Sequence, residues 1–150
     1  MALLKRTRTT QYPVVAEFTF NFNDTMVDVA GVTRDFGSFA GGSAAATQYT
    51  FEAIPLPPNA VVIGGDISTE IAFDSATYAV IVGDSGSANR YHATADLKGV
   101  ARVPLLVTGF RGAGENIRIA ITVADVCTTG KMTLKVQYIT SGRANESLIA

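Results

Sequence analysis

Gly83-Asp84-Ser85-Gly86-Ser87 is the stretch of this 150-residue chain whose residue types come nearest to chemistry. Gly-Asp-Ser-Gly surrounds the nucleophile of chymotrypsin-like proteases, and a Gly-Asp-Ser start marks one group of esterases. Both need a histidine placed to take the serine proton. His92 is the single histidine. It follows Ser85 by seven residues, whereas the protease order sets the base well upstream and the esterase order sets it near the C-terminus. The spacing predicts a tight turn in which Asp84 and Ser85 bond local backbone amides.

Other chemistry is no better supplied. One histidine and one cysteine, His92 and Cys127, cannot make a spaced zinc motif. Asp66, Asp74, Asp84 and Asp96 lie near turns and offer oxygen, but no Asp-x-Asp-x-Asp-Gly calcium loop exists. The glycines form no phosphate cradle between a strand and a helix. Thirteen acidic residues allow many carboxylate pairs, none preferred without geometry. Cys127 has no neighbouring base to lower its pKa and is expected as a small buried apolar residue. No catalytic residue, metal or cofactor is expected.

The elements that would carry any site are strands. Ile117, Ile119, Ile121 and Val123 alternate with polar neighbours, as do Met132, Leu134, Val136 and Tyr138. That is the period of two half-buried strands. Thr128-Thr129-Gly130 lies between the runs, so the spacing predicts a hairpin with its strands paired antiparallel. A lone hairpin does not repay the entropy of ordering it, so a second layer must cover its apolar face.

Ala16, Phe18, Phe20 and Phe22 mark an earlier strand, with the phenylalanines in the core. Tyr49, Phe51 and Ala53 mark another, which stops at Pro55-Leu56-Pro57-Pro58. Shorter segments are expected at Val27 to Val32, Val61 to Ile63, Ile67 to Phe73, Tyr78 to Val82 and Val103 to Thr108. A flexible loop is expected at Asp35 to Thr47, a loop with a single helical turn at Asp84 to Asp96, and a glycine-rich turn at Gly109 to Gly114. The pattern is all-β with about eight or nine strands and no long helix. Uneven loop lengths favour a jelly-roll-like or Greek-key β-sandwich.

Composition bounds the class. A 47% hydrophobic fraction, 14 glycines and 17% charged residues describe one weakly charged globular domain. Net charge is −1. Lys5, Arg6 and Arg8 place +3 in the first eight residues, but the body has no basic stripe to continue a phosphate track, so no nucleic-acid partner is expected. No apolar run reaches a membrane span, and Met1-Ala-Leu-Leu-Lys lacks a signal-peptide core. The expected division is an extended arm over 1–12, a β-sandwich over 13–140 and a polar tail over 141–150.

Three stretches in order, Leu56-Pro57-Pro58-Asn59-Ala60-Val61-Val62-Ile63-Gly64-Gly65, Val82-Gly83-Asp84-Ser85-Gly86-Ser87, and Thr129-Gly130 to Tyr138-Ile139 with Gly142-Arg143, resemble the cement or decoration proteins of tailed-bacteriophage heads. The resemblance covers roughly residues 55 to 146. It implies a jelly-roll-like domain on the outside of an icosahedral shell, made in the host cytoplasm. It also implies partners in the major capsid protein and in other copies of itself, as dimers or trimers, with no enzymatic activity. Lys5, Arg6, Arg8, Tyr12, Ile139 and Arg143 are the expected contact residues. Ile139 stands out because it breaks the polar side of its strand, on a face that Arg118, Lys135 and Gln137 are expected to share. The alternative is a receptor- or carbohydrate-binding sandwich of a head fibre or tail, with Tyr12, Tyr78 and Tyr91 as the aromatics for a sugar.

Overall fold

The computed structural model describes residues 12–38 and 47–140. Among the described residues there is no helix and there are ten strands. These are β1 (Val14–Asn21), β2 (Thr25–Val27), β3 (Thr33–Asp35), β4 (Thr47–Ile54), β5 (Ala60–Ile71), β6 (Tyr78–Gly83), β7 (His92–Asp96), β8 (Ala101–Pro104), β9 (Ile117–Val123) and β10 (Lys131–Thr140). Eight form two four-stranded antiparallel sheets, ordered β1-β10-β5-β8 and β4-β9-β6-β7, while β2 and β3 form a separate hairpin. Each main-sheet strand except β6 is followed by one in the opposite sheet, which makes the sandwich a jelly roll.

The two alternating runs at the C-terminal end do not form the expected hairpin. Strand β9 lies in one sheet and β10 in the other. The connecting residues 124–130 cross the sandwich, and other segments satisfy their backbone. Ala124 N–H donates to Thr77 O, Asp125 N–H to Ser75 Oγ, Cys127 N–H to Gly37 O and Thr128 N–H to Asp74 Oδ1. Gly130 then enters β10 at φ +145°, where a Cβ would fall 2.2 Å from Cδ1 of Phe73. Turn residues between two alternating runs fit a crossover as well as a reversal. The two apolar faces cover each other from opposite sheets, with Ile117, Ile119, Ile121, Val123, Met132, Leu134 and Val136 fully buried.

Other expectations are corrected in the same way. Of the segment Val27 to Val32, Val27 ends β2 and residues 28–32 are the β2–β3 turn, because Asp28 Oδ1 accepts the amides of Ala30 (2.9 Å) and Val32 (3.0 Å). Strand β5 runs unbroken through Gly64-Gly65. Both glycines stay paired, opposite Gln137 and Val136, with Ile63 as the extra residue of a bulge beside them, and Gly65 sits at φ +139° with no room for a Cβ beside Lys135 O. His92–Asp96, read as loop, is β7, and the strand expected from Val103 to Thr108 is Ala101–Pro104.

The core is aromatic at its centre. Phe20 stacks on Phe36 at 4.4 Å and Phe73 on Tyr78 at 3.8 Å. Phe36, read as part of a flexible loop, is buried, and its carbonyl accepts the Tyr78 hydroxyl at 2.8 Å. Phe18, Phe22 and Tyr138 are half-buried at the margin. Cys127 is buried as expected, and burial pushes its thiol pKa up.

Candidate functional site

Of the expected contact residues, Lys5, Arg6, Arg8 and Arg143 lie outside the described residues. Tyr12 is 87% exposed, two residues before β1. Ile139 is half-buried on β10 opposite Val61. Strand β1 begins with Val14 facing Tyr138, so Tyr12 and Ile139 fall at the same end of the β1-β10-β5-β8 sheet. Val14, Val15 and Ile63 add exposed apolar surface to that sheet. Arg118 does not share this face. It belongs to β9 and the opposite sheet.

The outer face of the β1-β10-β5-β8 sheet is closed by its own cross-strand pairs. Glu17 meets Lys135 at 3.5 Å, Glu70 meets Lys131 at 2.7 Å and Asp66 meets Arg102 at 2.7 Å. Thr133 donates its hydroxyl to Glu70 at 2.7 Å, so Thr19 is the donor in the 2.8 Å contact between Thr19 and Thr133. The Lys131 ammonium and then the Thr133 hydroxyl hold the Glu70 carboxyl below its ordinary range.

The opposite outer face is shaped differently. Val29 at the tip of the β2–β3 hairpin donates its amide to Thr50 O on β4 at 2.9 Å, and the turn after β6 rises on the other side. Between them lies a cavity of about 230 Å³, with Ala120 and Arg118 of β9 among its lining and residues 84–88 as one wall. A neighbouring hollow of about 350 Å³, bounded by Asp28, Gly31 and Glu52, shares Val29 and Arg118 with it. Together they form one groove. Its charges are already paired. Glu52 accepts Arg118 at 2.7 Å and Asn116 at 2.8 Å, and these donors hold its carboxyl below the usual range.

The Gly83-to-Ser87 segment is a tight turn as the sequence predicts, but the side chain that bonds its amides is Asp84 and not Ser85. Asp84 Oδ1 accepts Gly86 N–H at 2.9 Å and Ser87 N–H at 2.8 Å, while Arg90 Nε binds Oδ2. Burial pushes the Asp84 carboxyl up, but Arg90 and the two amides outweigh it, so the net pKa is lowered. The Arg90 guanidinium lies 3.5 Å from the ring centroid of Phe110, which packs the turn against the segment between β8 and β9. His92 spends Nε2 on the Thr94 carbonyl at 3.0 Å. Asp84 and His92 Nε2 thus bond to groups other than Ser85.

Two of the three tyrosines proposed for a sugar, Tyr78 and Tyr91, are buried in the core. Sequence reasoning missed the groove, which needs two distant loops over one sheet. It also missed exposed Leu106 and Val107 beside buried Leu105. Three consecutive apolar residues in an extended segment cannot all face inward, and that signal was available.

No family model matches the sequence, and no curated protein matches it. The fold has solved counterparts. A chain of the cyanophage Pam1 capsid asymmetric unit aligns at TM-score 0.53 and 20% identity, covering 92% of this chain and 91% of that one. A chain of the acidic stable capsid of Helicobacter pylori bacteriophage KHP30 aligns at 0.55 and 16%, covering 87% and 89%. A chain of the capsid of Ralstonia phage GP4 aligns at 0.54 and 16%, covering 93% and 92%. At these identities the likeness is one of fold.

Proposed function

We propose that this chain is a structural virion protein that binds the outer surface of an icosahedral phage head. There it stabilises the shell by bridging subunits of the major capsid protein. The observation that carries this reading is the near end-to-end match to chains from three phage capsid structures, with neither side leaving a large part unaligned.

The physics favours such a role. Many modest contacts repeated by symmetry shift a shell towards its assembled state, because each contributes only when the shell exists. The arm over residues 1–12 with Lys5, Arg6, Arg8 and Tyr12, together with Ile139 and Arg143, supplies the contacts in this reading. The sandwich over 13–140 holds them in place. No catalytic step is required, which agrees with Asp84 serving as the internal anchor of its turn.

Co-sedimentation of the purified chain with undecorated capsids tests the proposal. Deleting residues 1–12 is expected to weaken attachment while leaving the melting temperature of the free domain nearly unchanged. Full attachment by the truncated chain would remove the arm from the account. Binding to a glycan array without capsid binding would favour the receptor-binding alternative.

A further inference from the structure

The edge of β1 carries a pairing surface of its own. Phe22 N–H donates to Gly130 O at 3.0 Å, one step beyond the last β1–β10 pair, Asn21 with Lys131. In an antiparallel ladder hydrogen-bonded pairs alternate with non-bonded ones. Val14, Ala16, Phe18 and Phe20 therefore turn their backbone groups towards β10, while Val15, Glu17 and Thr19 turn theirs to the opposite side. Asn21 also faces that side and is already satisfied, since Asp24 Oδ2 accepts its N–H at 2.7 Å and Asp24 N–H donates to its carbonyl at 3.1 Å. Among the described residues, no strand pairs with Val15, Glu17 and Thr19 there.

Other edges are treated differently. The open side of β4 receives Val29 at Thr50, Tyr91 O just before β7 accepts Leu106 N–H at 2.7 Å, and β8 is only four residues long. An eight-residue open edge with Val14 and Val15 half exposed is a template for another strand.

We propose that the β1 edge pairs with the β1 edge of a second copy of this chain, antiparallel across a two-fold axis, joining two four-stranded sheets into one of eight. Charge and hydrogen bonding select the register. With the axis at Glu17, two carboxylates would stand directly opposite each other, which destabilises a sheet. With the axis at Phe18, Val15 would face Asn21, whose groups are taken. With the axis at Ala16, Val15 of each copy faces Glu17 of the other and both exchange both bonds. Thr19 N–H then meets the Pro13 carbonyl. Each Glu17 keeps its own Lys135 at 3.5 Å. Val14 comes opposite half-buried Phe18, and Tyr12 opposite Phe20, so the exposed apolar start of β1 is covered. This names a surface for the self-association that the resemblance to cement proteins implies, but it concerns the free chain, so it can fail while capsid attachment stands, and the reverse.

Sedimentation velocity on the purified full chain, without capsids, is expected to show a dimer. Val15→Pro removes an N–H that faces the open edge and none that faces β10, so it is expected to give a monomer with little change in melting temperature. Ala16→Cys places two thiols across the axis and is expected to form a disulfide-linked dimer under mild oxidation, whereas Thr19→Cys is not. Buried Cys127 does not compete. If Val15→Pro fails to fold, the Ala16→Cys and Thr19→Cys pair decides. A monomeric or trimeric wild type, a folded Val15→Pro that stays dimeric, or cross-linking at Thr19→Cys but not at Ala16→Cys would overturn the proposal.

Discussion

The two sheets are alike inside and unlike outside. Inside, each presents a continuous row of fully buried side chains, Ile117 to Val123 from one and Met132, Leu134 and Val136 from the other. Outside, the β1-β10-β5-β8 sheet ends in cross-strand ion pairs within the sheet itself, whereas the β4-β9-β6-β7 sheet is overhung by the β2–β3 hairpin and the Asp84 turn, which leave a groove. Both faces carry cross-strand ion pairs, Glu52 with Arg118 on the second, but only the second is overhung by loops. The buried rows are shared by the two sheets, while the groove belongs to one of them.

The largest effects should respect the likeness. Ile119→Ala in β9 and Leu134→Ala in β10 each remove a fully buried side chain, and each should cost about 2–5 kcal/mol in denaturant unfolding. A cost confined to one of them would mean that the sheets do not share a core. The unlikeness should show next. Asp84→Asn leaves Arg90 without its charge partner in a largely buried site and weakens the anchor of the turn, at about 2–3 kcal/mol. Arg102→Ala on the other face removes a partner that is 70% exposed and should cost less than about 1 kcal/mol. Equal losses would erase the distinction between the faces.

Acid should produce a smaller, graded effect. The carboxyls of Asp28, held by Arg34 and the Val32 amide, of Asp74, held by the Thr128 hydroxyl and amide, and of Asp84 all lie below their ordinary range when folded. The unfolded chain therefore takes up protons first as pH falls. The stability these groups provide is present above the ordinary carboxylate pKa of about 4 and is lost below it, down through their folded values. Melting temperature followed from pH 7 downwards should hold until about pH 5 and then drop. Replacing Asp84 by Asn should flatten the drop more than replacing Arg102 by Ala.

The sequence made some of this legible and hid the rest for physical reasons. Alternation exposed the strands around Phe20, Phe51, Val80, Ile119 and Leu134, because each has one face in the core. It could not tell which neighbour a strand pairs with, and so β9 and β10 looked like a hairpin although 124–130 carry the chain from one sheet to the other. Gly64-Gly65 read as a break because glycine weakens a strand, but here the strand runs through the pair, next to a bulge at Ile63. Val27 to Val32 looked like a strand because its valines are apolar, yet the Asp28 carboxylate binds two amides and folds the segment into a turn. The Asp84 turn was legible because its bonds are local. The groove was not, since its walls are some fifty residues apart in sequence.

The central proposal is one of position, that the jelly roll sits on the outside of a phage head. Single-particle imaging of virions assembled with this chain tests it most directly. Density for a two-sheet domain on the outer surface of the shell, spanning neighbouring capsid subunits and absent from particles made without the chain, is the expected result. Virions with no such density, or with this chain forming the shell floor itself, would contradict it.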